Sequence, residues 1–410
     1  MSDQPLCDLP ATELRRLIGR KAISPVELLG SCLERIEAVN PTLNAMTAMC
    51  VERARAEAEA AEAAVRAGDA LGPLHGLPIG IKDLQLTEGL RTTFGSPLFA
   101  DHVPDADERT VAAVRRAGGI VLGKTNVPEW GAGANTRNPV YGATGNPFDP
   151  SRTCGGSSGG SAVALATSMV PLATGSDTGG SLRTPASFCR VVGFRPTPGL
   201  VPSERRGLGW TPISVLGPMG RDVADTCLLL SAMVGDDSRD PFAAPVDAAG
   251  FAGPPEVDLS SLRVAISEDL GFAPVAREIR TVFRERVARI AGLFHSCESA
   301  DPEMADADDA FEVIRGANFL AQHGRRHAET PDMLGPNIVA NLEQAMGYDL
   351  ADFARAHANQ TRIYRAFQGF FAERDILICP AAAVSPFPWE QLYVEAIDGE
   401  PLRTYFHWLA

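Results

Sequence analysis

Two segments rich in glycine and serine are the parts of this sequence best suited to chemistry. The first is CGGSSGGSA at 154–162, and the second, GSDTGGSLRTPA, follows at 175–186. In the second, two glycines directly before Ser181 allow consecutive main-chain N–H groups to converge beside its hydroxyl, as an oxyanion hole requires. Ser181 is therefore a candidate nucleophile. A phosphate cradle is disfavoured, because the sequence has neither the Lys-Ser/Thr pair of a P-loop nor a GxGxxG motif after a strand.

A serine nucleophile needs a neighbour that takes its proton, and lysine is the best candidate here. Of the 37 basic residues only Lys21, Lys82 and Lys124 are lysine, and the others are arginine. Since guanidinium stays charged at any relevant pH, each retained lysine is a candidate for amine chemistry. Lys82 follows the apolar run 77–81. Burial there would lower its pKa from about 10.4 and make it a usable base, in a relay that runs from serine to serine to lysine.

The other two lysines have simpler interpretations. Lys21 lies in the polar stretch GRKAIS, which is typical of an exposed position. Lys124 follows the apolar run 120–122, so it is expected to orient main chain at the end of a strand.

Other catalytic arrangements have no support in the sequence. None of the seven histidines lies in a setting typical of a catalytic base, and His75, the nearest to the apolar run 77–81, lies in a Gly/Pro turn. HExxH and clustered Cys/His spacings are also absent, so no metal is expected.

The elements that must position these residues alternate between helix and strand. Helices are predicted at 24–39, 51–67, about 107–117, after Gly160, after Ser181 and at 223–233. Apolar runs typical of buried strands lie at 77–81, 120–122, 169–173, 191–194, 262–267 and 376–378, and 275–372 is mainly helical. This alternation predicts an α/β fold. No linker interrupts it, so we predict one domain over 1–410, with a helical region at about 275–372.

Composition excludes several classes of partner. The net charge is −14, and no run of like charge forms a patch for nucleic acid or for a membrane surface. The sequence starts without a signal-peptide pattern and contains no run of about 20 apolar residues. Its eight cysteines show no CxxC spacing. We therefore expect a cytoplasmic protein with no nucleic-acid partner and no membrane partner.

Three motifs in order resemble the amidase signature family. They are GIKD at 80–83, CGGSSGGSA at 154–162 and GSDTGGSLRTPA at 175–186. The resemblance extends over most of residues 1–235, with a signature core at about 70–235, and more loosely to about 380. It also includes NPTLNA at 40–45, the run GPLHGLPIGIKD at 72–83, LGKTNVPEWG at 122–131 and GFRPTPGLVP at 193–202. It implies a large mixed β-sheet covered by helices on both faces, and hydrolysis of carboxylic amides by an acyl-enzyme route without a cofactor or metal.

The resemblance also assigns roles by position. Ser181 corresponds to the nucleophile, Lys82 to the terminal base, and Ser157 to the bridging serine whose preceding peptide bond is cis in the family. The implied oxyanion hole consists of the N–H groups of Thr178, Gly179, Gly180 and Ser181. Asp177 and Arg183 resemble a pair that holds this loop, and Ser158 is expected to cap a helix or hydrogen-bond the loop.

Several points stay open at this level. A free-standing amidase is favoured. The alternatives are the glutaminase component of a tRNA-dependent amidotransferase and an esterase or carbamate hydrolase. A homodimer is a separate open possibility. Substrate choice is expected to depend on about 128–142 and 300–410. Candidates for an acyl pocket are the aromatic residues Trp130, Trp210, Phe319, Tyr348 and Tyr393. The C-terminus is expected to be shorter than the family pattern.

Overall fold

The computed structural model describes residues 4–409 and groups them into two compact units. The first extends to Pro254 and includes Pro386–Leu392, and the second comprises Pro255–Ser385 and the residues from Tyr393 on. The helical region predicted at 275–372 lies inside the second unit. The single amidase domain over 1–410 stays a prediction.

The helices of the first unit agree with the helical periodicity of the sequence, except that the first of them was not predicted. They are α1 (Ala11–Gly19), α2 (Pro25–Leu43), α3 (Val51–Ala67), α4 (Arg109–Arg116), α5 (Gly159–Ala166), α6 (Arg183–Cys189) and α7 (Val223–Met233). Helix α2 starts at a capping box: the Ser24 hydroxyl accepts from the Glu27 N–H at 3.0 Å, and the Glu27 carboxylate accepts from the Ser24 N–H at 2.8 Å. Pro25 occupies the first helical turn, where its missing N–H costs nothing.

The strands of the first unit form one mixed sheet and a small hairpin. They are β1 (Met46–Met49), β2 (Pro78–Lys82), β3 (Ile120–Thr125), β4 (Arg137–Asn138), β5 (Gly142–Ala143), β6 (Leu172–Asp177), β7 (Val192–Gly193) and β8 (Val215–Gly220). The mixed sheet has the order β1-β3-β2-β6-β8-β7, and β4 pairs with β5. Strands β3, β2 and β6 are parallel, whereas β1, β8 and β7 pair antiparallel with their neighbours. The predicted α/β fold with a mixed sheet is confirmed.

The central strands explain how the site is positioned. Every residue of β2 and β3 is buried, as the continuous apolar runs predict. Since β2 and β6 are parallel neighbours, their carboxyl ends meet at one edge of the sheet. Lys82 ends β2 and Asp177 ends β6, so the sheet brings the predicted base and the second glycine-serine segment together.

Two strands of this sheet were not predicted. Strand β8 has the sequence VLGPMG, whose glycines and proline obscure the strand pattern. Strand β1 has only four residues. Strand β6 also extends beyond the predicted run at 169–173, because Gly175, Ser176 and Asp177 pair with β8.

The segment Pro386–Leu392 belongs to the first unit although it lies late in the chain. The Thr153 N–H donates to the Phe387 carbonyl at 2.8 Å, and the Asn135 side-chain amide donates to the carbonyls of Trp389 and Gln391 at 2.9 and 2.8 Å. The segment thus packs beside the start of the first glycine-serine segment.

The second unit contains a small parallel sheet and long helices. Its strands are β9 (Arg263–Ile266), β10 (Ser296–Ser299), β11 (Ile376–Ile378), β12 (Ala396–Ile397) and β13 (Glu400–Pro401), and its helices are α8 (Arg277–Ile290), α9 (Ala307–Glu329), α10 (Pro336–Met346) and α11 (Leu350–Ala372). Strand β9 lies between β10 and β11, parallel to both. Strand β10 interrupts the region predicted to be helical. Among residues 4–409, the structure has no helix with the length and apolar character needed to span a bilayer.

Candidate active site

The Lys82 amine lies in a cluster of three serine hydroxyls. Lys82 is fully buried, and its Nζ lies 2.8 Å from Ser157 Oγ, 2.8 Å from Ser158 Oγ and 2.9 Å from Ser176 Oγ. Burial lowers the pKa of Lys82 to about 7, although the carboxylate of Asp177 opposes this shift. A large fraction of the amine is therefore neutral near pH 7 and can accept a proton from a hydroxyl.

The first glycine-serine segment supplies two of these hydroxyls. Ser157 and Ser158 directly precede α5, and the peptide bond between Gly156 and Ser157 is cis, as the resemblance implies. Ser158 Oγ also donates to the Ser176 carbonyl at 3.3 Å, which connects this segment to β6. The predicted helix-capping role of Ser158 is not seen, because its side chain makes no cap hydrogen bond to α5. Its hydroxyl instead bonds to the second glycine-serine segment through the Ser176 carbonyl.

Ser181 contacts Ser158, the second serine of this pair. The Ser158 N–H donates to the Ser181 carbonyl at 3.3 Å, so the two glycine-serine segments are in contact. Ser181 is largely buried and immediately precedes the turn into α6. Gly180 has φ +100°, a conformation that glycine adopts without steric cost, and this sharp turn presents Ser181. The structure thus brings together Lys82, Ser157 and the Ser181 segment, and their catalytic roles stay a prediction.

Asp177 is the centre of the loop that carries Ser181. Its buried carboxylate accepts from the N–H groups of Gly180 and Leu182 at 2.9 and 3.0 Å. It also pairs with Arg183 and Arg195, each with an oxygen at 3.0 Å. Burial opposes ionisation of Asp177, but the two guanidinium groups outweigh it and hold the pKa of the carboxyl well below its usual range. The carboxylate therefore stays ionised and keeps the loop in one conformation.

Asp177→Asn tests this anchoring. We expect the free energy of unfolding to fall by about 2 kcal/mol. Removing one partner of a buried charge pair is destabilising, and the loss stays moderate because both arginines are partly exposed to water. Urea denaturation measures the loss. Asp149→Asn is the matched control, since Asp149 pairs with Arg152 on the surface, where both side chains are 49% exposed. Equal losses in the two variants would contradict the anchoring role.

The main-chain donors around Ser181 differ in one respect from the implied set. The Gly180 N–H is engaged by Asp177, so it supports the loop instead of facing a substrate. In the part of the chain that the structure describes, the N–H groups of Thr178, Gly179 and Ser181 have no hydrogen-bond partner. An oxyanion hole made by these three donors stays a prediction.

Three residues of the site were not identified from the sequence. Ser176 contacts the Lys82 amine, but its position looked like part of a loop because β6 was predicted to end earlier. Arg195, in the motif GFRPTPGLVP, pairs with Asp177, but nearly all basic residues of the chain are arginine, so its type alone gave no signal. Gly131 lies so close to Ser157 that a Cβ atom there would be 3.2 Å from Ser157 Oγ. The signal for Gly131 was its place in LGKTNVPEWG.

The aromatic candidates for an acyl pocket have different settings. Trp130 stacks on Phe94 with ring centroids 4.7 Å apart, next to Gly131, whereas Trp210 is 79% exposed. Phe319, Tyr348 and Tyr393 belong to the second unit. Their role in an acyl pocket stays a prediction.

Comparison with known proteins identifies the family. A model of the amidase family matches residues 27–406, nearly the whole chain. The chain belongs to the amidase signature family. This amidase is similar to an acylamidase of Rhodococcus erythropolis, with 34% identity over 409 residues that cover 98% of this chain and 85% of the relative.

Two further relatives of the amidase illustrate the range of the family. One is a component of the glutamyl-tRNA(Gln) amidotransferase of Moorella thermoacetica, which is 33% identical over 97% of this chain and 85% of that protein. The solved structure of a bacterial aryl acylamidase of the amidase signature family has a TM-score of 0.91 and 25% identity, and the match covers 99% of this chain and 87% of that one. The amidase is therefore a hydrolase of carboxamide C–N bonds with the amidase signature fold.

Proposed function

We propose that this amidase cleaves a small acylamide to an acid and an amine or ammonia, with Ser181 as nucleophile, Ser157 as proton relay and Lys82 as terminal base. The observation that carries the proposal is the fully buried Lys82 amine, 2.8 Å from Ser157 Oγ and with a pKa lowered to about 7. An amine in this state accepts a proton from a hydroxyl, which an ordinary surface ammonium cannot do. The adjacent Ser181 segment supplies the hydroxyl that attacks.

In the proposed reaction Ser181 Oγ attacks the amide carbonyl while its proton passes to Ser157, and the Ser157 proton passes to neutral Lys82. The N–H groups of Thr178, Gly179 and Ser181 would stabilise the oxyanion that forms. Collapse of this intermediate breaks the C–N bond, and the proton held by Lys82 returns through Ser157 to the departing amine. Water then attacks the acyl ester by the same relay, which releases the acid and restores Ser181.

Ser158 and Ser176 hold the amine in place in this scheme. Each hydroxyl lies within 2.9 Å of Lys82 Nζ, so the amine can donate its two hydrogens to them. The lone pair of the neutral amine then remains for Ser157. This arrangement explains why a lysine and not an arginine occupies the position, since guanidinium has no lone pair to offer.

The pH dependence of the amidase follows from the state of Lys82. Because burial lowers the Lys82 pKa to about 7, the neutral amine predominates above that pH and the ammonium below it. We expect kcat/KM for an amide to rise with an apparent pKa of about 7 and then to level off. A pH–rate profile between about pH 5 and 9 measures this. A rate that falls as the pH rises through 7 would contradict the role of Lys82 as base.

A glutaminase that works within an amidotransferase is the second candidate, because relatives 33% identical to this chain are components of the glutamyl-tRNA(Gln) amidotransferase. An esterase or carbamate hydrolase would use the same three residues. We favour the free-standing acylamidase, which the similarity to the Rhodococcus acylamidase supports. The net charge of −14 does not favour direct binding of tRNA by this chain.

We also propose a cytoplasmic location, since the eight cysteines are all free thiols.

A labelling experiment and a substrate panel test the proposal together. Purified protein is treated with a fluorophosphonate probe, and the labelled peptide is identified by mass spectrometry. The panel contains 4-nitroacetanilide, primary aliphatic amides, glutamine, and matched esters and carbamates, with amine or ammonia release as readout. Labelling at Ser181 with turnover of anilides or aliphatic amides supports the acylamidase. Ammonia release from glutamine alone would favour the glutaminase, and absence of labelling at Ser181 would contradict both.

A further inference from the structure

Lys124 is a second buried amine that the proposed reaction does not use. It is fully buried on β3, and its Nζ donates to the Gln85 carbonyl and, at 3.0 Å, to Thr87 Oγ1. Burial lowers the pKa of Lys124, while the carboxylates of Asp83 and Glu108 oppose the shift. Burying an amine is costly unless its hydrogens are used. Two of them are directed at the turn that follows Lys82.

Gln85 connects this turn to both main-chain groups of Lys82. The Gln85 N–H donates to the Lys82 carbonyl at 3.0 Å. The Lys82 N–H donates at 3.1 Å to the hydroxyl of Thr174, and that hydroxyl in turn donates to Gln85 Oε1. A single buried residue therefore holds the main chain of Lys82 from both sides, and Lys124 holds that residue.

Lys124 lies on the opposite side of the sheet from the Lys82 amine. In the parallel register of β2 and β3, Lys124 pairs with Ile81, whereas Lys82 pairs with Thr125. Successive side chains of a strand point to opposite faces, so the two amines leave the sheet in opposite directions. Any effect of Lys124 on the reaction must therefore pass through the main chain.

We propose that Lys124 is a positioning residue for the proton transfer: it fixes Gln85, and Gln85 fixes the main chain at Lys82, so that the Lys82 amine keeps its contact with Ser157. The inference rests on the proposed roles of Lys82, Ser157 and Ser181. Proton transfer depends steeply on geometry, and a displacement of about 1 Å can cost about 10²-fold in rate. Lys124 can thus affect the rate of proton transfer through Gln85 and the main chain of Lys82, without contact with the substrate.

The test measures fluorophosphonate labelling of the full-length protein as a function of probe concentration, which separates probe binding from reaction at Ser181. Lys124→Met keeps the apolar stem and removes the donor. Lys21→Met is the matched control, because Lys21 is exposed and its amine only donates to the Arg66 carbonyl at 3.3 Å. Thr87→Val is a milder second variant that removes one of the two acceptors of Lys124.

For Lys124→Met we expect the maximal labelling rate to fall by about tenfold or more, while the half-saturating probe concentration stays within about twofold of wild type. Lys21→Met should match wild type in both. A folded Lys124→Met protein with a wild-type maximal rate would overturn the inference. If Lys124→Met does not fold, Thr87→Val decides: a fall of about threefold supports the inference, and a wild-type rate overturns it. Wild-type labelling of Lys82→Met would instead show that the proposed function itself has failed.

Discussion

Replacing Ser181 with alanine is expected to abolish amide turnover, with a fall in kcat of about 10⁴-fold or more. The substitution removes the oxygen that forms the acyl ester, and the remaining groups can only bind and polarise the amide. Ser181 is 9% exposed, so alanine fits its site without displacing neighbours. Amine release from an amide of the panel measures the loss, and intact-mass analysis after fluorophosphonate treatment should show no added mass.

Ser187→Ala is the matched control for this experiment. Ser187 lies in α6, close in sequence to Ser181, but it is exposed to solvent. We expect full turnover and normal labelling in this variant. Retained turnover in Ser181→Ala, with circular dichroism and melting temperature unchanged from wild type, would disprove the assignment of Ser181 as nucleophile.

Replacing Lys82 with methionine is expected to lower kcat/KM for amides by about 10³-fold. Methionine fills most of the buried volume of the lysine stem but offers no lone pair that can take the Ser157 proton. Ser158 and Ser176 would also lose the amine to which they hydrogen-bond. Steady-state kinetics with an amide of the panel measures the fall.

The pH profile of this variant provides a second readout. In wild type the rise in kcat/KM near pH 7 reports loss of the Lys82 proton, so the residual activity of Lys82→Met should lack that rise. Lys21→Met is the control, since its amine is exposed and far from Ser157 in the chain. A profile in Lys82→Met that still rises through pH 7 would show that another group is the base.

Much of the site could be predicted because its signals are local. A lysine at the end of an apolar strand, two glycines before Ser181 and two adjacent serines before a helix are each visible within a few residues. The helices α3 and α7 were predicted to the residue for the same reason, since helix periodicity and capping depend on neighbours along the chain. Strands β1 and β8 were missed because their stability comes from pairing with distant strands and not from their own composition.

The family and the residue types of the proposed relay could be predicted from short motifs and their order, and the α/β class from the alternation of helix and strand patterns along the chain. The contacts made on folding show which hydroxyls surround Lys82, that Asp177 pairs with both Arg183 and Arg195, and that the Gly180 N–H donates to Asp177. They also show that the Lys124 amine donates to the Gln85 carbonyl, in the turn that follows Lys82. Most of these contacts join residues that are far apart in the sequence, and the lowered pKa of Lys82 arises from its burial between different strands and loops. Such properties exist only once the strands are side by side, since no stretch of sequence contains them.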